Sequence, residues 1–254
     1  MICYLNRGLI LEQAICALLK EYFESIHLEN TYENFHISVT NEHPFAKLMF
    51  HDGLNASDSF PAVVVTTQED RKPHNLDLPP TYDAIGIDKE DLENIVRTTE
   101  TRTDKKGMKK EVEIPGLCMV VDEKTKAAIE EALNKNGGMC YGWSIRTRRC
   151  DSIGIEIWAE NNQLKNEIYE QTREFVTGNM RFLLERKYPF FATAIFDNTI
   201  IGRRSNNYNA DFDIRLTGAH IGFDVDYCVE QIIIDTDLTK ITEIIAEADN
   251  YVKN

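Results

Sequence analysis

The chain has 254 residues, of which 43% are hydrophobic and 28% are charged. This length suits one large domain, which can bury a hydrophobic core without needing disulfide bonds or a structural metal for stability. The formal net charge of −14 argues against general affinity for nucleic acid, because phosphate binding requires a basic surface.

The cysteine pattern and the hydropathy describe the class of protein further. The six cysteines form no CxxC pair, and Cys16 and Cys228 lie within apolar patterns typical of buried positions. We expect reduced free thiols. The N-terminus does not resemble a signal peptide, and no apolar run has the length of a membrane span, so we expect a soluble protein made in the cytoplasm.

The first third predicts one helix and two strands. Residues 9–26 carry apolar side chains at helical spacing, which predicts an amphipathic helix. Residues 35–39 alternate like a short strand, and the β-branched run 60–68 predicts a second strand that a proline opens. The segment 51–59 is rich in turn formers and predicts a loop.

Residues 71–140 differ in composition, and we interpret them as an insertion into a single domain that spans residues 1–254. They contain three early prolines and the basic run RTDKKGMKK at 102–110. A short strand is predicted at 118–121. A helix that Thr125 could cap then ends before Gly137 and Gly138.

A strand–turn–helix unit occupies residues 151–176. Ile153, Ile155 and Ile157 alternate onto one face, and the period then changes to that of a helix. Asn161 or Asn162 can cap this helix, which turns outward the side chains of Lys165, Glu167, Glu170 and Arg173.

The C-terminal third predicts a helix at 179–187, a strand at 191–197, a mobile turn-forming loop at 200–213 and a helix at 238–252. A long strand around 221–230 alternates between an apolar and an acidic face. The order of elements predicts an α+β fold with a mostly antiparallel sheet and helices packed on one face.

Acidic pairs are the strongest candidates for chemistry. Asp211/Asp213, Asp224/Asp226 and Asp235/Asp237 could each hold a divalent cation, although acidic residues also suit a solvated strand face. Asp151 and Glu156 resemble a nuclease pair. However, their five-residue step places them on opposite faces, and Trp158 stands where such a site needs a lysine.

The sequence therefore predicts no catalytic residue, no metal site and no cofactor. It contains no nucleophile elbow and no phosphate-binding loop. A metal-dependent hydrolase or nuclease that uses the paired acids remains the alternative. Basic side chains suit electrostatic docking onto an acidic partner; they are Arg146, Arg148, Arg149, Arg203 and Arg204.

The layout of the chain resembles the tail-terminator (tail-completion) proteins of tailed bacteriophages. Four features carry the resemblance: the N-terminal amphipathic helix, the run SFPAVVV at 59–65, the unit DSIGIEIWAEN with its following helix, and the alternating final strand after Arg203 and Arg204. The match covers roughly residues 9–68 and 144–234. The excursion at 71–140 and the C-terminal helix are additions, so another tail or baseplate adaptor of the same fold remains open.

The resemblance implies a structural role in the virion, at the tail–neck junction. Proteins of this family form a hexameric ring that caps the tail tube, stops its polymerisation and offers a surface to the head-completion connector. They have no active site, and DNA passes through them only as cargo. In such a ring, an acidic face formed by Asp224, Asp226 and Glu230 could line the channel, and Glu156 with Trp158 could contact a neighbour.

Overall fold

The computed structural model describes residues 1–26, 36–42, 60–67, 81–103, 107–188, 195–196, 201–204, 208–209 and 215–238. Several of the predicted elements lie outside these ranges. The loop at 51–59 and the C-terminal helix after Leu238 lie outside the described residues, as does much of the loop predicted at 200–213.

The fold is α+β with a mostly antiparallel sheet, which confirms the predicted class. The elements in chain order are β1 (Ile2–Leu9), α1 (Leu11–Ser25), β2 (Ser38–Thr40), β3 (Ala62–Thr67), β4 (Thr81–Ile87), α2 (Lys89–Val96), β5 (Thr99–Thr103), β6 (Lys109–Glu113), β7 (Leu117–Val120), α3 (Glu123–Lys135), β8 (Cys140–Ala159), α4 (Asn162–Glu174), a π-helical turn (Phe175–Asn179), α5 (Met180–Lys187), β9 (Ile195–Phe196), β10 (Ile201–Arg204), β11 (Tyr208–Asn209) and β12 (Arg215–Asp235).

The chain divides into two compact units. The first unit contains Met1–Ile10, Asp77–Arg148 and Cys228–Asn254, and the second contains Leu11–Leu76 and Arg149–Tyr227. Strands β8 and β12 each supply residues to both units. The predicted insertion therefore belongs largely to a unit that also includes residues from near both ends of the chain.

The first unit is a sheet covered by two helices. Strand β1 pairs antiparallel with β7 and with the end of β12, while β4 pairs antiparallel with the first half of β8. Side chains of α2 and α3 pack onto one sheet face. The buried members of this cluster are Cys3, Leu5, Ile87, Leu92, Ile129, Ala132, Leu133, Cys140, Ile232 and Ile234.

The second unit also joins strands and helices. Strand β3 pairs antiparallel with the second half of β8 and parallel with β2. Helix α1 lies beside β3, where the Glu12 carboxylate accepts a hydrogen bond from the backbone N–H of Thr67. Tyr22 connects α1 to α4, since its hydroxyl donates to Gln171 at 2.9 Å.

Several predicted elements are confirmed. The apolar stripe of α1 is buried at Leu11, Ala14, Ile15, Leu18 and Leu19. Ile153, Ile155 and Ile157 of β8 are fully buried. Asn161 caps α4, because its side chain accepts from the N–H of Leu164 at 2.8 Å.

Other predictions are wrong in detail. Strand β8 begins at Cys140 rather than near 151. Asp122, not Thr125, caps α3, because its carboxylate accepts from the N–H of Thr125 at 2.6 Å. The predicted outward position of Lys165 is wrong, since this residue is buried and its Nζ donates to Asn162.

The remaining corrections add strands and a helix. Strand β1 and strands β4 to β6 with helix α2 were not predicted. The loop predicted at 200–213 is wrong for β10 and β11, which pair antiparallel with β12. The segment 200–213 is rich in turn-forming residues, but a long neighbouring strand supplies the backbone hydrogen bonds of β10 and β11.

Candidate functional site: a polar row and two buried carboxylates

A row of polar side chains crosses the first unit on the face that also carries its core. Strand β1 alternates so that Arg7 shares the face of Cys3 and Leu5. We call this set the polar row; its members are Arg7, Asp83, Ser144, Arg146 and Glu230. It continues the apolar core toward the solvent.

Arg7 is the most buried cation of the row, with 7% of its surface exposed. Its Nε donates to the carbonyl oxygen of Ile95 at 3.2 Å, which ties β1 to the end of α2. Its guanidinium lies 3.9 Å from the carboxylate of Glu230. Burial lowers the pKa of Arg7 to about 10, and the charge of Glu230 opposes that shift. Arg7 is therefore still a cation at neutral pH.

Glu230 is the centre of the row. The hydroxyl of Ser144 donates to its carboxylate, and the Nε of Arg146 lies 3.7 Å from the same oxygen. Arg146 in turn lies 3.8 Å from the carboxylate of Asp83, and both of these side chains are about half exposed. The row thus balances two cations against two carboxylates, and its outer end offers charges of both signs to solvent.

Asp224 and Asp226 of β12 are buried in the second unit, with 7% and 6% of their surface exposed. The hydroxyl of Ser152 donates to Asp224 at 2.7 Å. The predicted channel-facing position is wrong for these two residues, because their side chains lie inside the protein. Alternation predicted a solvated face, but a facing hydroxyl lets a carboxylate be buried instead.

Asp151 and Glu156 make separate contacts, as their spacing predicts. The Tyr227 hydroxyl donates to Asp151 at 2.7 Å. Burial raises the pKa of Tyr227, and the bond to Asp151 raises it further. The indole N–H of Trp158 donates to Glu156 at 3.1 Å. Both Trp158 and Glu156 are half-buried, and their predicted role as contacts to a neighbour stays a prediction.

The remaining predicted arginines lie on β8 and β10. Arg149 is exposed and lies close enough to Tyr227 to favour its ionisation. Arg148 is half-buried. In β10, Arg203 and Arg204 stand opposite residues of β12, and their side chains lie outside what the structure describes.

Sequence reasoning missed two members of the row that lie close to Glu230. Arg7 has the same strand parity as Cys3 and Leu5, but residues 2–5 are apolar on both faces, so the sequence ICYLNRGL does not show which face is buried. Ser144 immediately precedes a basic run and is almost fully buried. What sequence cannot provide is the distant partner, because Glu230 lies near the other end of the chain.

The described residues also bear on metal binding, membrane spanning and thiol ionisation. Across the described ranges, no group of three or more His, Cys, Asp or Glu side chains could hold a metal ion. No helix in the described part of the chain is both long and apolar enough to cross a membrane. The thiols of Cys3 and Cys140 are buried, and burial raises the pKa of Cys16 to about 12.

The chain was compared with known proteins by sequence. No protein-family model matches it, and no curated protein matches it with significance.

Proposed function

We propose that this protein is a structural component of a phage virion, a tail terminator that caps the tail tube and joins it to the head connector. The proposal combines the resemblance of the sequence with the arrangement of the second unit. It assigns the protein a ring of its own copies as the working form, with the tail tube and the head-completion protein as partners.

The composition of the second unit is the observation that carries the proposal. The segments on which the resemblance rests are α1, the run at 59–65, the strand–helix unit from Asp151 to the end of α4, and the alternating final strand. Apart from the part of that strand from Cys228 onward, they belong to this one unit. Strand β3 begins within the Phe-Pro-Ala-Val run, directly after Pro61, and pairs antiparallel with β8, where Val63 stands opposite Ile157. The excursion at 71–140, which the resemblance leaves out, belongs from Asp77 onward to the first unit. Segments that form one compact unit can act as one module.

The contacts of the polar side chains also support a structural role. Asp224 accepts from a serine, Asp151 from a tyrosine, and Glu230 contacts two arginines. A carboxylate that works as a general base or a metal ligand must be accessible to its substrate or ion. These carboxylates instead stabilise pairs of neighbouring strands.

The buried position of Asp224 and Asp226 changes one part of the model of the ring. A channel for DNA has to be lined by side chains that reach the solvent, and these two do not. Glu230 belongs to the polar row. The proposal therefore assigns no channel-lining role to this face of β12.

Assembly is the direct test. The purified protein should form rings in negative-stain electron microscopy, either alone or on added tail tubes, and should cosediment with tubes of its own phage. In a tube-assembly reaction it should also stop elongation. A protein that neither binds tubes nor limits their length would refute the proposal. A monomer with Mg²⁺-dependent hydrolytic activity that Asp224→Asn abolishes would replace it with the enzyme alternative.

A further inference from the structure

The first unit has a second sheet face, opposite the one covered by α2 and α3. Residues of β1 alternate, so that Ile2 and Tyr4 point away from the core that Cys3 and Leu5 enter. The register extends this face across the sheet, because Tyr4 stands opposite Ile233 of β12. On β4 and β8 the same face continues through the pairs Tyr82–Ile145 and Ala84–Trp143. We call this the outward face; its large members are Ile2, Tyr4, Tyr82, Trp143, Ile145 and Ile233.

This face exposes more apolar surface than isolated side chains would. Ile2 is 53% exposed, Tyr4 51% and Tyr82 64%, while the other three are partly exposed. An aromatic side chain presents ~200 Å², so the three most exposed members leave ~300 Å² in water and the whole face leaves ~500 Å². A patch of ~500 Å² is at the upper end of what monomers expose, and such patches are often functional.

The outward face carries little charge, and this indicates what kind of surface can bind to it. All six large members are uncharged, and Asp235, opposite Ile2, is a charge at the margin. The chain as a whole has a net charge of −14, so two copies repel each other electrostatically in most relative orientations. An uncharged apolar face is where two copies approach without that repulsion. It is also complementary to itself, as a two-fold contact requires.

We propose that the outward face is a two-fold contact between two copies of this chain. Two such faces together bury ~1,000 Å², which reaches the size of the smallest specific interfaces. The exposed tyrosines are the anchors, because aromatic side chains provide most of the binding energy at interface centres. This contact does not depend on the proposed function, since its anchors Tyr4 and Tyr82 lie in segments that the resemblance does not cover.

Molar mass measured by light scattering after size exclusion tests the contact. The test variant is Tyr4→Glu with Tyr82→Glu, which places two carboxylates on each face. The matched control is Phe182→Glu, which changes a side chain that is 61% exposed on α5 in the second unit. Circular dichroism and melting temperature establish that each variant is folded.

The expected result is that the wild-type protein has an even number of 29.2 kDa chains and that the double variant has half that mass. Phe182→Glu should keep the wild-type mass. Loss of one anchor should weaken the contact about 30-fold or more, so the single variants should dissociate on dilution before the wild type does.

A halved molar mass in the double variant distinguishes this two-fold contact from ring formation through other surfaces. If the protein also forms rings, a pair of rings becomes one ring; if it does not, a dimer becomes a monomer. Both results support the contact, and only the first also agrees with the proposed function. A wild-type monomer, an unchanged mass in the double variant, or a collapse from a ring to single chains would overturn the two-fold contact.

Discussion

Replacement of Arg7 by methionine tests whether the polar row stabilises the first unit. Methionine keeps most of the aliphatic length of arginine but removes the donor to the Ile95 carbonyl and the charge beside Glu230. Hydrogen bonds from charged groups contribute ~1.5–3 kcal/mol each. Glu230 keeps Ser144 and Arg146 as partners, so it is not left uncompensated. Arg7→Met should therefore lower the free energy of unfolding by about 2 kcal/mol.

Equilibrium unfolding in urea provides the measurement. The chain has two tryptophans, Trp143 in the first unit and Trp158 in the second. In a Trp158→Phe background the fluorescence of Trp143 reports on the first unit alone. For a slope of ~3 kcal/mol per M, a loss of about 2 kcal/mol moves the midpoint by somewhat less than ~1 M. Protein concentration must be constant, because association stabilises the folded state.

Two comparisons make this prediction specific. Arg146→Met removes a cation that also faces Glu230 but is half exposed, so it should cost less than ~1 kcal/mol. In a Glu230→Gln background, Arg7→Met should cost ~1 kcal/mol less than in the wild type, because the two residues then no longer interact as charges. If Arg7→Met costs no more than Arg146→Met, the burial argument is refuted.

Three further predictions concern single positions. Gly142→Ala should destabilise the first unit by ~3 kcal/mol, because the new Cβ would overlap the carbonyl oxygen of Ile233, whereas Gly178→Ala meets open space and should be neutral or stabilising in thermal melts. Stability should fall as pH rises from 9 toward 12, because the unfolded Cys16 thiol, with a pKa of 9.0, ionises before the folded one at about 12; melting temperatures of Cys16→Ala should fall less over that range. Asn161→Ala should cost ~1 kcal/mol through loss of the α4 cap, and an unchanged urea midpoint would contradict the assigned cap.

Elements with one apolar and one polar face were predictable from the sequence. Helix α1 and the β8–α4 unit show clear periods, and their apolar side chains are buried as expected. Strand β1 has a weaker signal, because Ile2, Cys3, Tyr4 and Leu5 are apolar on both faces and no alternation marks them. Its pairing with β12 depends on residues more than 200 positions away, which local patterns do not reveal.

The polar residues were harder to predict than the apolar ones. Alternation predicted correctly that Asp224 and Asp226 share a face, but it does not reveal whether that face is solvated. The hydroxyl of Ser152, on a different strand, donates a hydrogen bond to Asp224 and so offsets the cost of burying that carboxylate. In the same way, Glu230 was identified as a candidate, but only the tertiary structure brings Arg7 and Ser144 to it. The sequence therefore predicted individual residues better than their partners.

The pairing of β1 with the end of β12 has a consequence for synthesis of the chain. Ile2 stands opposite Asp235, so the ribosome must add more than 200 residues after Ile2 before this pair can form. At ordinary translation rates that interval is roughly ten to fifty seconds. Strand β7 is made earlier and can hold only the far end of β1, from Asn6 to Leu9. Until β12 emerges, the apolar side chains of β1 lack this partner strand and can bind chaperones, and products that terminate before β12 should be the ones that aggregate.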